Sequence, residues 1–563
     1  MLDTMLLMKQ PVIDVLVSAL KKLGYSSDGL TVESPRDLSH GDFSTSIALA
    51  LAKEAGKSPR EVAEEIVNNL DATKFKSVSI AGPGFINFTM SEYAWVSYAK
   101  EFDISNLSVR TKLDDKQILL EHTSLNLFKP FSIGHLFNNS LSVSLRNIMS
   151  FAGAVVTEVS FPSDISPGVA KGVWAILKHD WKDDLNILKI GEAYRLGVVA
   201  YKEDESAKEE IDIINKELYE GIEGAALEVY KKTREISMEY FDSVLERLGT
   251  HHNAHLFESL TAPIGTELVR EHTPEIFTES DGAIIFEGSK HGLFDNVFVN
   301  SAGFATYLAK DLGLIKLKLM SYPEIDQYIT VADIEQKQHF QLVKKTAELV
   351  FQKDSEKITY LQHGRLALPT GRISSRDGGV PIAEDLIEAL IKGTTEKARE
   401  AGKELVPESA EKIALGALRY ALLRASAGKN VVFDMESSLS FEGDSGPYLQ
   451  YTYVRARSIL KSIEDLPEVL SQEMRFSEDT HTLLQLIEQF DGKVERALED
   501  YSPHHITQHI LEIAQAFNSF YAHTKIANTS SEFYATHVRV TQIVSEALQT
   551  GLWLMGIGSV EEM

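Results

Sequence analysis

An α/β protein in three parts is what this sequence predicts, and three observations carry that reading. The first is the stretch from 117 to 161. Gln117-Ile118-Leu119-Leu120 is a short apolar run of the kind that forms a buried parallel strand. Leu141, Leu145, Ile148 and Met149 then recur at helical spacing, and AVVTEVSF from Ala154 supplies a second β-rich run. Strand, glycine-bearing turn, helix and strand make a βαβ unit, so a Rossmann-type domain with a phosphate-cradling turn is expected over 111–385. Second, residues 1–110 mix helix and strand signals and read as a small α+β domain. Third, nearly everything over 386–563 reads as amphipathic helix, which predicts an all-α bundle. A chain of 563 residues is too long for one core, and three domains fit its length.

In order along the chain, MLDTMLLMKQPVIDVL begins an amphipathic helix. It has no basic region followed by an apolar core, so it is not read as a signal peptide and the cytoplasm is the expected address. Ser58-Pro59-Arg60-Glu61 predicts a capping box with proline in the first helical turn. Ser77 to Ile80 leads into AGPGFINF, whose glycines and proline mark a turn and whose Phe85-Ile86-Asn87-Phe88 alternates like an edge strand. From pattern alone Phe85 belongs to the core, although an exposed ring there could stack on a base. Within the central domain a helical insertion is expected over about 165–250, its charged part running from Glu203 to Leu248.

Composition narrows the function. No apolar run is long enough for a membrane span. There is no cysteine, which excludes disulfides, thiolate metal sites and cysteine nucleophiles. The formal charge of -26 argues mildly against nucleic acid, but a local basic stripe can exist on an acidic protein.

Four segments carry chemistry. Ser132-Ile133-Gly134-His135 lies between the first strand and its helix; the glycine admits a nucleotide closely and the histidine can donate to phosphate. Gly371-Arg372-Ile373-Ser374-Ser375-Arg376-Asp377-Gly378-Gly379 is a cationic, glycine-rich loop suited to a polyphosphate. Tyr307 and Asp311 stand four apart, which in a helix puts an aromatic ring beside a carboxylate and suits a guanidinium. Tyr448, Tyr451 and Arg455 share one helical face and suit unpaired bases. Each has a bland alternative: a plain turn, a surface loop, a surface aspartate and a core aromatic stripe.

Together these segments resemble an arginyl-tRNA synthetase, a class I aminoacyl-tRNA synthetase. Ser132 to His135 falls where that family has its HIGH tetrad, and Arg372 to Arg376 where class I enzymes have KMSKS. EHTSLN from Glu121 is similar to E-x-S-S-P-N, and Tyr307 to Asp311 to Y-L-T-R-D. FEGDSGPYLQY and AQAFNSFY resemble the family's anticodon-binding domain, while SHGDFSTSIALALAK and AGPGFINF resemble its N-terminal domain. The likeness runs from about residue 30 to Met563. There are departures: Ser132 replaces the first histidine, Arg372 and Ser375 replace the two lysines, and Leu125 replaces a proline.

The resemblance implies an arginine–tRNA ligase, which activates arginine with ATP and passes it to tRNA(Arg). It implies ATP contacts from Ser132, Gly134, His135, Ser374 and Ser375, with His135, Lys129, Arg372 and Arg376 stabilising the transferred phosphates. Glu121, Asn126, Tyr307, Asp311 and Gln336 would bind arginine. Asp164 matches the aspartate of a motif after the second strand. Phe85 (now read as a contact) and Asn87 would meet the D-loop, and Tyr448, Tyr451 and Arg455 the anticodon loop. Magnesium is expected with ATP, without a dedicated protein ligand. Family habit implies a monomer. The competing readings are a non-catalytic tRNA-binding relative and a class I synthetase for another amino acid.

Overall fold

The structure, a computed structural model, describes residues 8–35, 37, 40–369, 382–426, 428–463 and 474–563. Near the N-terminus the helix Gln10–Leu23 and the helices Ile47–Ala55 and Pro59–Asn68 accompany a small antiparallel sheet. Its strands are β1 (Phe43–Thr45), β2 (Phe75–Ala81) and β3 (Phe85–Met90), in the order β1-β3-β2. The capping box forms: the Glu61 amide donates to Ser58 Oγ at 3.3 Å, and the Ser58 amide to Glu61 Oε2 at 2.8 Å. One expectation fails, because β3 is the central strand and not an edge. The three-residue β1 pairs Phe43 with Phe88, so Ile86, Asn87 and Phe88 are all buried.

The central domain holds β4 (Gln117–Glu121), β5 (Val155–Ser160) and β6 (Ala254–His255), then an antiparallel meander of β7 (Thr278–Ser280), β8 (Ala283–Phe286) and β9 (Asn296–Val299). It closes with β10 (Gln327–Asp333) and β11 (Ile358–His363). Strands β11-β10-β4-β5-β6 form one sheet, every pairing parallel. In order of entry this is 3-2-1-4-5, so the winding reverses between β4 and β10. At such a switch point the two connections leave in opposite directions and open a crevice at the carboxyl ends of the strands.

The helix Ile133–Phe151 runs back from that crevice through the middle of the molecule. Leu141, Leu145, Ile148 and Met149 are buried along it, each contributing about 1.5–3 kcal/mol of apolar transfer. Between β5 and β6 lie the helices Pro167–Lys178, Ile187–Glu203, Glu205–Glu220 and Ala225–Arg247. The helix Tyr307–Ser321 crosses Glu258–Glu271 backbone to backbone. A Cβ on Gly265 would sit 1.8 Å from Ala309 O, and one on Gly313 2.2 Å from Thr261 O, so larger residues would push the helices apart.

The C-terminal part is helical apart from the short strand Val431–Val432, and it docks on the same central helix. Ser144 Oγ donates to Leu554 O at 2.7 Å and Asn147 Nδ2 to Trp553 O at 2.6 Å. The buried Arg419 donates to Leu248 O and Gly556 O, tying the insertion to the C-terminus; burial pulls its guanidinium down to about 10. The helix Ala383–Glu400 passes through position 386, so a division of the chain there cuts a helix. Among the described residues no helix is long and apolar enough to cross a membrane.

Candidate active site

The crevice at the switch point has two ends. One is the start of the helix Ile133–Phe151, where Ser132 is the N-cap residue with extended backbone. The Ser132 amide donates to His135 Nδ1 at 3.2 Å, with Ser132 Oγ also 3.2 Å from that nitrogen. The imidazole thus takes the place of the Glu or Gln that usually reaches back in a capping box. A backbone N–H can only donate, so Nδ1 is the acceptor and the neutral ring carries its hydrogen on Nε2. Burial, and then the nearby His363 and Lys129, pull this imidazole down to about 4, so it is neutral at pH 7. Gly134 is exposed beside it. Lys129 lies 4.2 Å over the ring of Tyr194, on an insertion helix.

Asn138, one turn further along, was not singled out in the sequence. Its Oδ1 accepts the Thr123 amide at 2.7 Å, while its Nδ2 donates to Val331 O at 2.8 Å and to His363 Nε2 at 3.2 Å. It therefore ties the exits of β4, β10 and β11 together across the switch point. Thr123 has a positive φ of 47°, a conformation that costs about 1–3 kcal/mol and needs such support. The helix also buries Asn139, Ser140, Ser142, Ser144 and Asn147, so a polar residue there was no distinctive signal.

The other end is a narrow pocket lined by Glu121, Asp311, Lys318, Thr330, Phe340 and Tyr360 among others. Glu121 at the end of β4 is buried; its carboxylate pairs with Lys318 Nζ and accepts from Thr330 Oγ1 at 3.0 Å. Asp311 Oδ2 accepts from His339 Nε2 at 2.5 Å. Burial alone would lower the His339 pKa; the bond to Asp311 and its charge outweigh burial and hold it above the ordinary value. Lys318 and His339 also went unremarked in the sequence. Lys318 follows Asp311 by seven residues, two helical turns on one face, and that spacing was its signal.

The remaining arginine-site candidates sit further out. Tyr307, at the head of the same helix as Asp311, is 56% exposed, and Asn126 and Gln336 are exposed as well. The residue between them in the motif, Lys310, is buried instead, bonded to Glu258 Oε2 at 2.6 Å and Ile165 O at 2.7 Å. Asp164 is fully buried and accepts from Tyr230 OH, the Ser259 amide and Ser259 Oγ, which makes it an anchor for the insertion. Arg372, Ser374, Ser375 and Arg376 lie outside the described residues.

Two surfaces lie far from the crevice in sequence. Phe85 is 42% exposed beside the Gly82-Pro83-Gly84 turn, so the core expectation from pattern alone fails. Asn87 is buried, its Oδ1 accepting from Ser44 Oγ at 2.7 Å. On the helix Gly446–Lys461 the guanidinium of Arg455 is sandwiched between Tyr451 at 4.6 Å and Tyr521 at 4.7 Å, and it donates to Asn518. Tyr448 is half-buried beside them. Tyr521 is the exposed member of this stack, contributed by the AQAFNSFY segment.

Comparison with known proteins adds the following. Residues 104–435, more than half the chain, match the family described as tRNA synthetases class I (R), catalytic domain. Residues 10–90 match the arginyl tRNA synthetase N terminal domain and 449–563 the DALR anticodon binding domain. An arginine–tRNA ligase of Clostridium acetobutylicum is 29% identical, with 98% of each chain covered, and one of Clostridium perfringens is 27% identical over 94% of this chain and 96% of its own. Among solved structures, arginyl-tRNA synthetase of Thermus thermophilus superposes with a TM-score of 0.78 at 24% identity, covering 99% of this chain and all of its own. That of Plasmodium falciparum gives 0.81 at 18% identity with both chains fully covered.

Proposed function

The chain belongs to the arginine branch of the class I tRNA synthetases, the arginyl-tRNA synthetases, and on that premise we propose how its residues divide the reaction. It is an ATP-dependent arginine–tRNA ligase. The arginine carboxylate attacks the α-phosphate of ATP, releasing pyrophosphate, and the arginyl group passes to the 3′ end of tRNA. Little covalent work falls to the protein, so position and charge do most of it.

At the phosphate end, His135 offers an Nε2–H donor held in one tautomer, and Gly134 lets the nucleotide approach the positive end of a nineteen-residue helix. Ser132 supplies the cap that holds His135. Lys129, Arg372 and Arg376 bring positive charge to the leaving pyrophosphate, with Ser374 and Ser375 as hydroxyl donors. Magnesium enters with ATP as part of the substrate and neutralises its phosphates. At the other end Asp311 takes the guanidinium, with Tyr307 and Gln336 at the mouth. Asn126 serves the backbone end of arginine, and Glu121, buried and paired with Lys318 in the same pocket as Asp311, sets the charge around the guanidinium. A carboxylate can meet a planar fork with two bonds but an ammonium only as a point charge, which is how lysine is refused.

Phe85 faces the D-loop, while Asn87, two residues on along the same strand, is buried and engaged by Ser44 and supports it from below the surface. Tyr448, Tyr451, Arg455 and Tyr521 face the anticodon loop, where stacked rings suit unpaired bases. The division into 1–110, 111–385 and 386–563 is kept with the last boundary moved to the head of the helix Ala383–Glu400. We place the protein in the cytoplasm as a monomer.

The observation that supports this assignment is the presence, at one switch point, of the neutral His135 imidazole at a helix start and of the Asp311 carboxylate lining a narrow pocket. ATP–pyrophosphate exchange with arginine, lysine and glutamate, with and without tRNA, tests it. Exchange with arginine alone, and only when tRNA is present, is expected. Absence of exchange with arginine under every condition would overturn the assignment.

A further inference from the structure

Both carboxylates of the arginine pocket already hold a cation. Glu121 is paired with Lys318 and Asp311 with His339; the first pair is buried and the second is partly buried, at 15% exposure for Asp311 and 25% for His339. With the imidazole protonated, two negative and two positive charges cancel. A guanidinium entering this set adds one uncompensated positive charge, and burying net charge is costly. Geometry adds a second conflict. A guanidinium fork engages both oxygens of a carboxylate, but Oδ2 of Asp311 is occupied by His339 Nε2 at 2.5 Å. Lys318 cannot give way easily, because its ammonium is buried and also lies 3.4 Å from Thr330 Oγ1. His339 can, since it need only lose a proton.

We propose that His339 is a specificity-determining residue that occupies Asp311 as an imidazolium and is displaced by arginine with release of one proton to solvent. This rests on the assignment of Asp311 as the guanidinium partner. The proton leaves from one ring nitrogen of His339 to the buffer, and the positive charge it carried is replaced by that of the guanidinium. Among the described residues, the charged and titratable groups facing the imidazole come from three elements and its own turn. The helix Tyr307–Ser321 brings Asp311 and, deeper, Lys318; β4 brings Glu121; and β11 brings Tyr360, which burial and the two carboxylates push far up and keep neutral. On the turn before its own helix, Glu335 is engaged by Arg365. Asp311 is thus the group that sets the charge state of His339, which the contact holds above its ordinary 6.5. The arrangement favours arginine over lysine, because a single ammonium gains less from displacing an imidazolium than a two-pronged fork does.

Calorimetric titration of the full-length protein with arginine, in two buffers of different ionisation enthalpy from pH 6 to pH 8.5, tests this. Arginine affinity should weaken about tenfold per pH unit below the imidazole's value, with close to one proton released there. His339→Gln should release none and bind arginine with a flat pH profile. Wild-type binding that is pH-independent and without proton release would overturn the proposal, and leave His339 as a neutral donor that orients Asp311. If Asp311→Asn binds arginine as well as the wild type does, it is the guanidinium assignment that fails, whatever His339 does.

Discussion

The two ends of the switch-point crevice are built on opposite principles. At the end proposed for the amino acid, charges are already paired: the buried Glu121 with Lys318 and the partly buried Asp311 with His339. At the end proposed for the phosphates the groups are an exposed glycine, a neutral imidazole, a helix start and Lys129, and the two arginines expected there, Arg372 and Arg376, are distant in sequence and outside the described residues. The difference follows from the two substrates. Arginine must be told from lysine, and a partly buried carboxylate already paired admits only a better partner. The pyrophosphate must be held while it forms and then let go. Fixed dipoles and a neutral donor stabilise it without the deep binding that buried opposite charge would give.

Variants at the two ends should therefore fail differently. The largest effect is expected from Asp311→Ala, which strands His339 and removes the guanidinium partner: kcat/KM for arginine should fall by about a thousandfold or more, while tRNA affinity measured by filter binding stays the same. A tRNA affinity that fell in parallel would mean that Asp311 holds the fold and not the substrate. Next comes His135→Ala, for which loss of one preorganised donor predicts about a hundred- to a thousandfold drop in kcat, at nearly unchanged arginine affinity.

Lys318→Met breaks the buried pair and should cost about 3–5 kcal/mol in urea unfolding, much of it recovered by adding Glu121→Leu. If the single variant is as stable as the wild type, the pair is not desolvated and the contrast between the two ends weakens. Ser132→Ala should cost only about 0.5–2 kcal/mol of helix capping and a correspondingly small part of the rate, because the backbone amide still fixes the imidazole. A pH effect accompanies His135. Its folded value of about 4 lies below the ordinary 6.5, so its neutral burial contributes stability that is complete above pH 6.5 and lost as pH falls through 4. His135→Asn should flatten that part of the pH–stability curve.

Much of the scaffold could be read in advance, because local signals set it. The βαβ unit, the capped helix at Pro59 and the C-terminal helices each follow from periodicity or from a cap within a few residues. What could not be read rests on distant pairing. Asn138 acts through Val331 and His363, and Lys318 through Glu121, 197 residues away. The central place of β3 depends on β1, three residues that leave almost no strand signal of their own. The meander β7–β9 was not anticipated either, since its strands are three or four residues long. Asp311, expected as a guanidinium partner from its spacing to Tyr307, lines a pocket, but its bond to His339, 28 residues on and in another helix, left no local signal.

The contrast between the ends is tested most directly by arginine binding, measured by calorimetry at pH 8 in the wild type, Asp311→Asn and His135→Ala. Loss of binding in Asp311→Asn with wild-type affinity in His135→Ala is the predicted result. Equal losses in both, or a loss in His135→Ala alone, would contradict it.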